Sequence, residues 1–240
     1  ILSPAQYTIT AASTVDDLVS FLKDALGLNS STGPNPDGKT PGVTLDPVTG
    51  ELTITGNTGT AGDLAIESSD LRVLDSAGQF LRSPLTSTKD ASATGESTRT
   101  SFVVFDSLGT PMPVDVTMVL ESRGTSGTGW RYYVDSAADT DPSPNVATGL
   151  LNFDTHGQLQ NPLPVAINID RAATGALSPL SINLAFASGP DSISSLSSDT
   201  STIASTFQDG SPLGVLSSFG VGPSGVITGS FSNGLTRTLG

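Results

Sequence analysis

Cysteine is absent from this 240-residue chain, which excludes disulfides, thiolate catalysis and cysteine-based zinc sites. Histidine occurs once, so no metal centre or base–nucleophile pair can be built from several imidazoles. Aromatic residues make up 5% with a single Trp, too few for the stacked platforms of a typical sugar site. No apolar run reaches the roughly 18 residues of a membrane-spanning helix. Ile1 opens the chain without a basic segment or cleavage site, so no secretory signal is read. Bases are scarce: 10 against 23 acids give a net charge of -13. Such a chain repels phosphate backbones and anionic lipid surfaces, so neither nucleic-acid binding nor membrane insertion is expected.

What is present is turn and strand material. Gly 26 and Pro 16 imply frequent chain reversals, and with abundant Ser, Thr, Val and Ile they favour short strands over helices. Hydrophobic residues at 36% are low for a compact enzyme and adequate for thin β domains. With 14% charged residues, the exterior is expected to be neutral Ser, Thr, Asn and Gly, a weakly interacting surface. The fold class expected is mainly β: antiparallel sandwich or barrel-like domains, plus one small α+β domain with a single helix.

Residues 14–26 carry the one strong helix pattern. Thr14 caps, Asp16 and Asp17 favour the N-terminal dipole, and Val15, Leu18, Val19, Leu22, Ala25 and Leu26 share a face before Gly27 stops it. Strands are expected at 6–10, 42–45, 51–55, 63–67 and 71–74, with Asp46-Pro-Val-Thr-Gly50 as a hairpin loop and 29–40 as an exposed loop. This makes 1–82 a small α+β domain and 83–98 a Ser/Thr/Ala/Gly-rich linker.

An antiparallel β domain is expected over 99–205. It holds about seven strands at 101–109, 114–120, 130–134, 150–153, 158–159, 164–169 and 180–186. Along 114–120 the residues alternate, mostly one face in and one out. Residues 130–134 pair back across 122–129, with Trp130 and Tyr132 on one face and Tyr133 on the other. Residues 188–205 offer only Ile193, Leu196 and Ile203 for burial and read as an extended crossing segment. Residues 206–240 read as a closing β segment, whose other half is missing or supplied by the start of the chain. Both ends look like cut points, and the chain is expected to be a fragment of a longer polypeptide.

No catalytic, cofactor-binding or metal residues are assigned. His156 lies in the turn Asp154-Thr-His-Gly157, where a solvated polar residue is expected. Asp135, Asp139 and Asp141 form an oxygen-rich loop, but the calcium-loop spacing with its central Gly and terminal Glu is missing. A solvated acidic loop is the reading, and Asn35-Pro-Asp-Gly38 is a turn by composition. No serine sits in Gly-x-Ser-x-Gly, and no phosphate-cradling glycine loop precedes a helix.

Several segments, taken in order, carry a family resemblance. Phe105-Asp-Ser-Leu-Gly109 before an alternating strand resembles the pattern aromatic-Asp-Ser-x-Gly of bacterial flagellar hook proteins. Trp130-Arg-Tyr-Tyr-Val134 looks like the next strand, and Leu151-Asn-Phe-Asp-Thr-His-Gly-Gln-Leu159 is similar to that family's L-x-F-x-x-x-G-x-L hairpin. Asp209-Gly-Ser-Pro-Leu-Gly-Val-Leu216, Gly225-Val-Ile-Thr-Gly229 and Phe231-Ser-Asn-Gly-Leu-Thr-Arg237 resemble the segment that returns to an inner β domain. Coverage runs from about 98 to 240, while 1–80 matches more loosely and looks like an additional outer domain. Phe105 and Phe231 stand where many relatives have Tyr, and the terminal helical segments that build the filament core are not in this sequence.

The resemblance implies a non-enzymatic structural subunit without cofactors. It would stack with copies of itself into the curved hook, an extracellular universal joint exported by the flagellar secretion apparatus. Hook cap, rod and hook–filament junction proteins are the further partners it implies, and the piece alone should be monomeric. The turn Asp106-Ser-Leu-Gly109 and the segment Phe231-Ser-Asn-Gly234 are its structural landmarks, with no pocket for chemistry expected. Two rivals stand beside it. A secreted carbohydrate-binding or adhesin-like module would show an exposed aromatic strip or ordered calcium, and a hydrolase a deep cleft with paired carboxylates about 5–9 Å apart.

Overall fold

In the computed structural model, residues 4–30, 33–35, 37–141, 143–161, 164–187, 192–195 and 201–240 are described. Leu196, expected in the crossing segment, lies outside them. The protein is mainly β, with antiparallel sheets and one α-helix.

Helix α1, Val15–Ala25, begins where its sequence dictates. The Thr14 hydroxyl accepts from the Asp17 amide at 3.2 Å while Asp17 Oδ2 accepts from the Thr14 amide at 2.8 Å, a reciprocal capping box. Leu22 is buried against Leu28 and Val43, with Leu18, Val19, Leu52, Ile54, Leu64 and Leu71 packed around them. Val15 departs from the expected face and is 50% exposed, because the apolar stripe is satisfied one turn later. Strands β1 (Gly42–Leu45) and β2 (Leu52–Thr55) pair as a hairpin, with Asp46 accepting from the Val48 and Thr49 amides inside the loop.

Two expected strands do not form. Residues 6–10 instead lead into the helix cap, with the Tyr7 ring stacked on Phe21 and its hydroxyl donating to Ser13 Oγ at 2.9 Å. Residues 63–67 find partners other than a ladder. Asp63 accepts from the Ala93 amide and Lys89, and the Ile66 carbonyl accepts from Ser87 Oγ. These bonds tether residues 83–94 to the small unit, and Thr94 and Gly95 carbonyls accept from the Gly59 and Thr60 amides. Ser97 and Thr98, read as linker, already belong to a strand. The expected strand 71–74 shortens to β3 (Val73–Leu74), which pairs with β4 (Phe80–Arg82), a strand not foreseen.

The main sheet is β5 (Ser97–Phe105), β6 (Pro111–Gly124), β7 (Gly127–Asp135) and β8 (Asn145–Phe153), antiparallel in sequence order. Strands β6 and β7 run far closer together than expected, leaving only Thr125 and Ser126 between them. Hairpin β9 (Val165–Ile169) and β10 (Leu180–Leu184) packs on this sheet. Met112, Val114, Val116, Met118, Trp130 and Tyr132 meet Ile167, Ile169 and Phe186 in one core, a sandwich of unequal layers. Among the described residues here six strands form, and 158–159 makes isolated bridges to Phe153 and Ser194 instead.

The one-in, one-out expectation fails in the middle of β6. Thr117 and Val119 are buried as well as their neighbours, because the α1 unit covers the sheet's second face. Gly59 makes this approach possible: a Cβ there would lie 2.7 Å from Val119 Cγ2.

Ser195 belongs to the core although its surroundings in sequence are polar. Its hydroxyl accepts from Trp130 Nε1 at 3.0 Å and lies 2.9 Å from Thr128 Oγ1. Replacing Ser195 by Ala is expected to leave the buried indole N–H without a partner and to cost about 1–3 kcal/mol. Urea unfolding monitored by Trp130 fluorescence would measure this; an unchanged midpoint would refute the role.

The chain then extends through 201–215 without regular structure and closes with β11 (Leu216–Val221), β12 (Ile227–Phe231) and β13 (Thr236–Thr238). These three form their own meander, to which the described residues at the start of the chain add no strand.

Candidate functional site: the junction of the two sheets

One turn design recurs along the chain. In Asp75-Ser-Ala-Gly78, Asp106-Ser-Leu-Gly109 and Asp154-Thr-His-Gly157 the Asp carbonyl accepts from the Gly amide at 2.9–3.0 Å. Asp Oδ1 accepts from the amides two and four residues on, and the Gly takes φ near 75–79°. The pattern Asp-x-x-Gly therefore specifies a hairpin reversal by local chemistry alone. His156 sits exposed in the third copy, where its backbone amide does the work and its ring faces solvent.

The copy at 106–109 does more. Asp106 is buried, and its Oδ2 accepts from Arg171 Nη2 at 3.2 Å, with side-chain exposures of 1% and 9%. Burial opposes ionisation of Asp106, yet the Thr110 and Leu108 amides and the guanidinium outweigh it and hold the carboxyl below its ordinary value. Arg171 Nη1 donates to the Ala138 carbonyl at 2.7 Å, while its Nε has no hydrogen-bond partner. Ser107 Oγ accepts from the Leu177 amide at 2.8 Å. Three loops are thus locked together at this end of the sandwich.

Gly109 then meets the stretch that leads into the closing sheet. A Cβ at this position would stand 2.5 Å from the Leu213 amide nitrogen. From the other side, Asn233 Nδ2 donates to the Pro212 carbonyl at 2.8 Å, and Val215 and Ser232 bond reciprocally. The turn Phe231-Ser-Asn-Gly234 keeps the same backbone bonds as the Asp-x-x-Gly turns without an Asp at its head. The structure therefore brings the two sequence landmarks to opposite sides of 212–215. Sequence reading missed Arg171, since a lone Arg after Asp170 carries no local signal; Leu213 and Asn233 lie in segments it singled out, but their joining role was not read.

Elsewhere the acidic residues serve separate local ends. Asp135 accepts from Asn145 Nδ2 at 3.0 Å beneath Gly27, and burial raises its carboxyl. Asp139 and Asp141 accept from the Asp141 and Ser143 amides. Among the described residues no three acidic or histidine side chains converge to hold a metal ion. A cavity of about 750 Å³ lies between the α1 unit and the main sheet. Leu22, Leu26, Leu64, Thr117, Tyr133 and Asp135 are among the residues lining it. Of its carboxylates, Asp63 is bonded to Lys89 and Asp135 to Asn145. Trp130, Tyr132 and Tyr133 are buried and form no exposed strip.

The exterior, expected to be mostly neutral Ser, Thr, Asn and Gly, also carries apolar side chains. Phe80, Phe207, Leu213, Phe219 and Val221 are each more than half exposed. On the closing sheet the register places Phe219, Val221, Ile227, Phe231 and Leu239 on one face and Thr228, Ser230, Thr236 and Thr238 on the other.

The molecule is of the class in which antiparallel β layers are fixed end to end by buried turns, and its landmark residues bind backbone. The family described as flagellar basal body protein FlaE D2 domain matches residues 72–211, and the chain belongs to that family. The match starts earlier than the resemblance read from sequence and stops before the closing sheet. A similar solved structure is that of flagellar hook protein FlgE2 from Helicobacter pylori. It is 18% identical, covers 60% of this chain and 31% of that one, and has a TM-score of 0.40. The chain thus spans about a third of the length of that protein. No curated protein matches it.

Proposed function

We propose that the chain is an outer part of a flagellar hook subunit, whose copies stack into the curved tube that carries motor torque to the filament. The observation that carries this reading is the family match over residues 72–211, which takes in β3 to β10 and the Asp106 turn. The role is structural and non-enzymatic. The subunit is exported by the flagellar secretion apparatus to the cell exterior, and it meets hook cap, rod and hook–filament junction proteins at the ends of the tube.

The physical fit lies in how the molecule is joined. A tube that bends as it rotates must break and remake contacts between subunits on each turn, while each subunit keeps its own shape. The buried Asp106–Arg171 pair and the Gly109–Leu213 contact stiffen the subunit internally. Antibodies raised against this 240-residue domain are expected to label the short segment between cell envelope and filament in electron micrographs. Label confined to the filament or the cell body would overturn the proposal.

A further inference from the structure

Hairpin β3–β4 is a poorly supported element. Two-stranded hairpins are marginal in water, and this one leaves Leu74, Phe80 and Leu81 40%, 59% and 60% exposed. It also carries Arg72 and Arg82, two of the ten bases in the chain. Five others, Lys89, Arg99, Arg123, Arg131 and Arg171, are ion-paired with acids of the same chain. Arg82 enters none of those pairs, and Arg72 Nε donates only to the Ser69 carbonyl. An exposed aromatic beside unpaired arginine is the composition of a binding hot spot.

The complementary feature lies at the far loops of the sandwich. Thr140 ties two loops together, its amide donating to the Asp170 carbonyl at 3.1 Å and its hydroxyl to Asp170 Oδ2 at 2.6 Å. This sets Asp139, Asp141 and Asp170 side by side, and none of them has an ion-pair partner among the described residues. Beside them stand Leu177, 76% exposed, and Leu108, 50% exposed. A hairpin with two arginines outside any ion pair and an acidic face whose carboxylates accept only from neutral donors occur on one molecule.

We propose that hairpin β3–β4 of one copy docks on the Asp139, Asp141 and Asp170 face of a second copy, with Arg72 and Arg82 meeting the carboxylates and Phe80 and Leu81 covering Leu177. A second copy is the occupant that the charge favours. Chains of net charge -13 repel one another, and arginines set against carboxylates relieve that repulsion; Arg72 and Arg82 stand at the base of the hairpin, with its own acid, Asp75, at the turn. When the hairpin and the acidic face of one copy engage two different neighbours, the contact is heterologous and propagates head to tail, as an open helical tube requires; a reciprocal pair would stop at the dimer. The inference rests on the reading that the subunit assembles with its own copies.

The test uses the full-length subunit, which can be labelled at chosen sites because this portion has no cysteine. Leu81→Cys and Ala172→Cys are introduced together, and the purified polymer is treated with a bis-maleimide spanning about one nanometre. A ladder of dimers, trimers and longer covalent chains is expected, and each single variant should give none. Polymers that form normally but yield no ladder would overturn the docking while leaving the hook reading intact. If the double variant does not assemble, co-assembly of the two single variants replaces it, and cross-linked dimers or their absence decide in the same way. Failure of the unaltered subunit to polymerise at all would instead count against the hook reading. A hairpin that cross-links only to a different protein would also refute the choice of a second copy.

Discussion

Asp106→Ala should lower the stability of the domain by about 3–5 kcal/mol, a large effect for a residue in a turn. The reason is that the substitution strips a buried guanidinium of its counter-charge and removes the acceptor of the Leu108 and Thr110 amides. Arg171 Nε already lacks a partner, so nothing nearby can take up the lost interaction. The paired replacement Asp106→Asn with Arg171→Met should recover much of the loss, because no buried charge is left and the turn keeps its acceptor. Urea unfolding of the three proteins measures this, and a single variant as stable as the parent would refute it. The pH dependence has a definite sign. The folded carboxyl titrates below its ordinary value of 3.8, so its contribution is complete above that value and disappears as pH falls through the lower folded one. The acid limb of the stability curve should therefore flatten in the double variant. Asp135 works in the opposite sense: its raised carboxyl adds stability as pH falls through the folded value and ceases to add below the ordinary one.

Gly109→Ala is the second large effect. A left-handed φ of 78° costs an alanine about 1–2 kcal/mol by itself. The new methyl would also sit 2.5 Å from the Leu213 nitrogen and 2.8 Å from its Cα, where backbone and not a flexible side chain must give way. Overpacking of this kind adds about 1–3 kcal/mol. Gly225→Ala separates the two causes, since its φ is 81° but nothing lies within 4 Å of its Cβ. Hydrogen exchange should show the Val215 and Ser232 amides losing protection in the Gly109 variant and keeping it in the Gly225 variant. Equal behaviour of the two would show that the Gly109–Leu213 contact does not hold the closing sheet.

Sequence was most legible where structure is set by neighbours along the chain. Thr14 and Asp17 fixed the start of α1, and the Asp-x-x-Gly turns fixed the reversals at 106–109 and 154–157. It misled where a strand pattern had no ladder to join. Residues 63–67 have strand composition, yet Asp63 is bonded to the Ala93 amide and Lys89, and the Ile66 carbonyl accepts from Ser87 Oγ. It also misled at Val119, whose burial depends on a glycine sixty positions earlier, and at Ser195, a polar residue in a polar stretch that receives the core tryptophan's N–H.

The sequence by itself determined the mainly β class, the single helix and its cap, and most hairpin turns, those at 106–109 and 231–234 among them. Each follows from backbone preferences and hydrogen bonds closed within a few residues, which any reader of the chain can count. Only the tertiary structure decided that Asp106 would find Arg171, that Gly109 and Asn233 would hold 212–215 between them, and that the main sheet would be covered on both faces. Those outcomes depend on which surfaces meet after the chain has crossed the molecule, where contact distance and desolvation, not local pattern, select the partner.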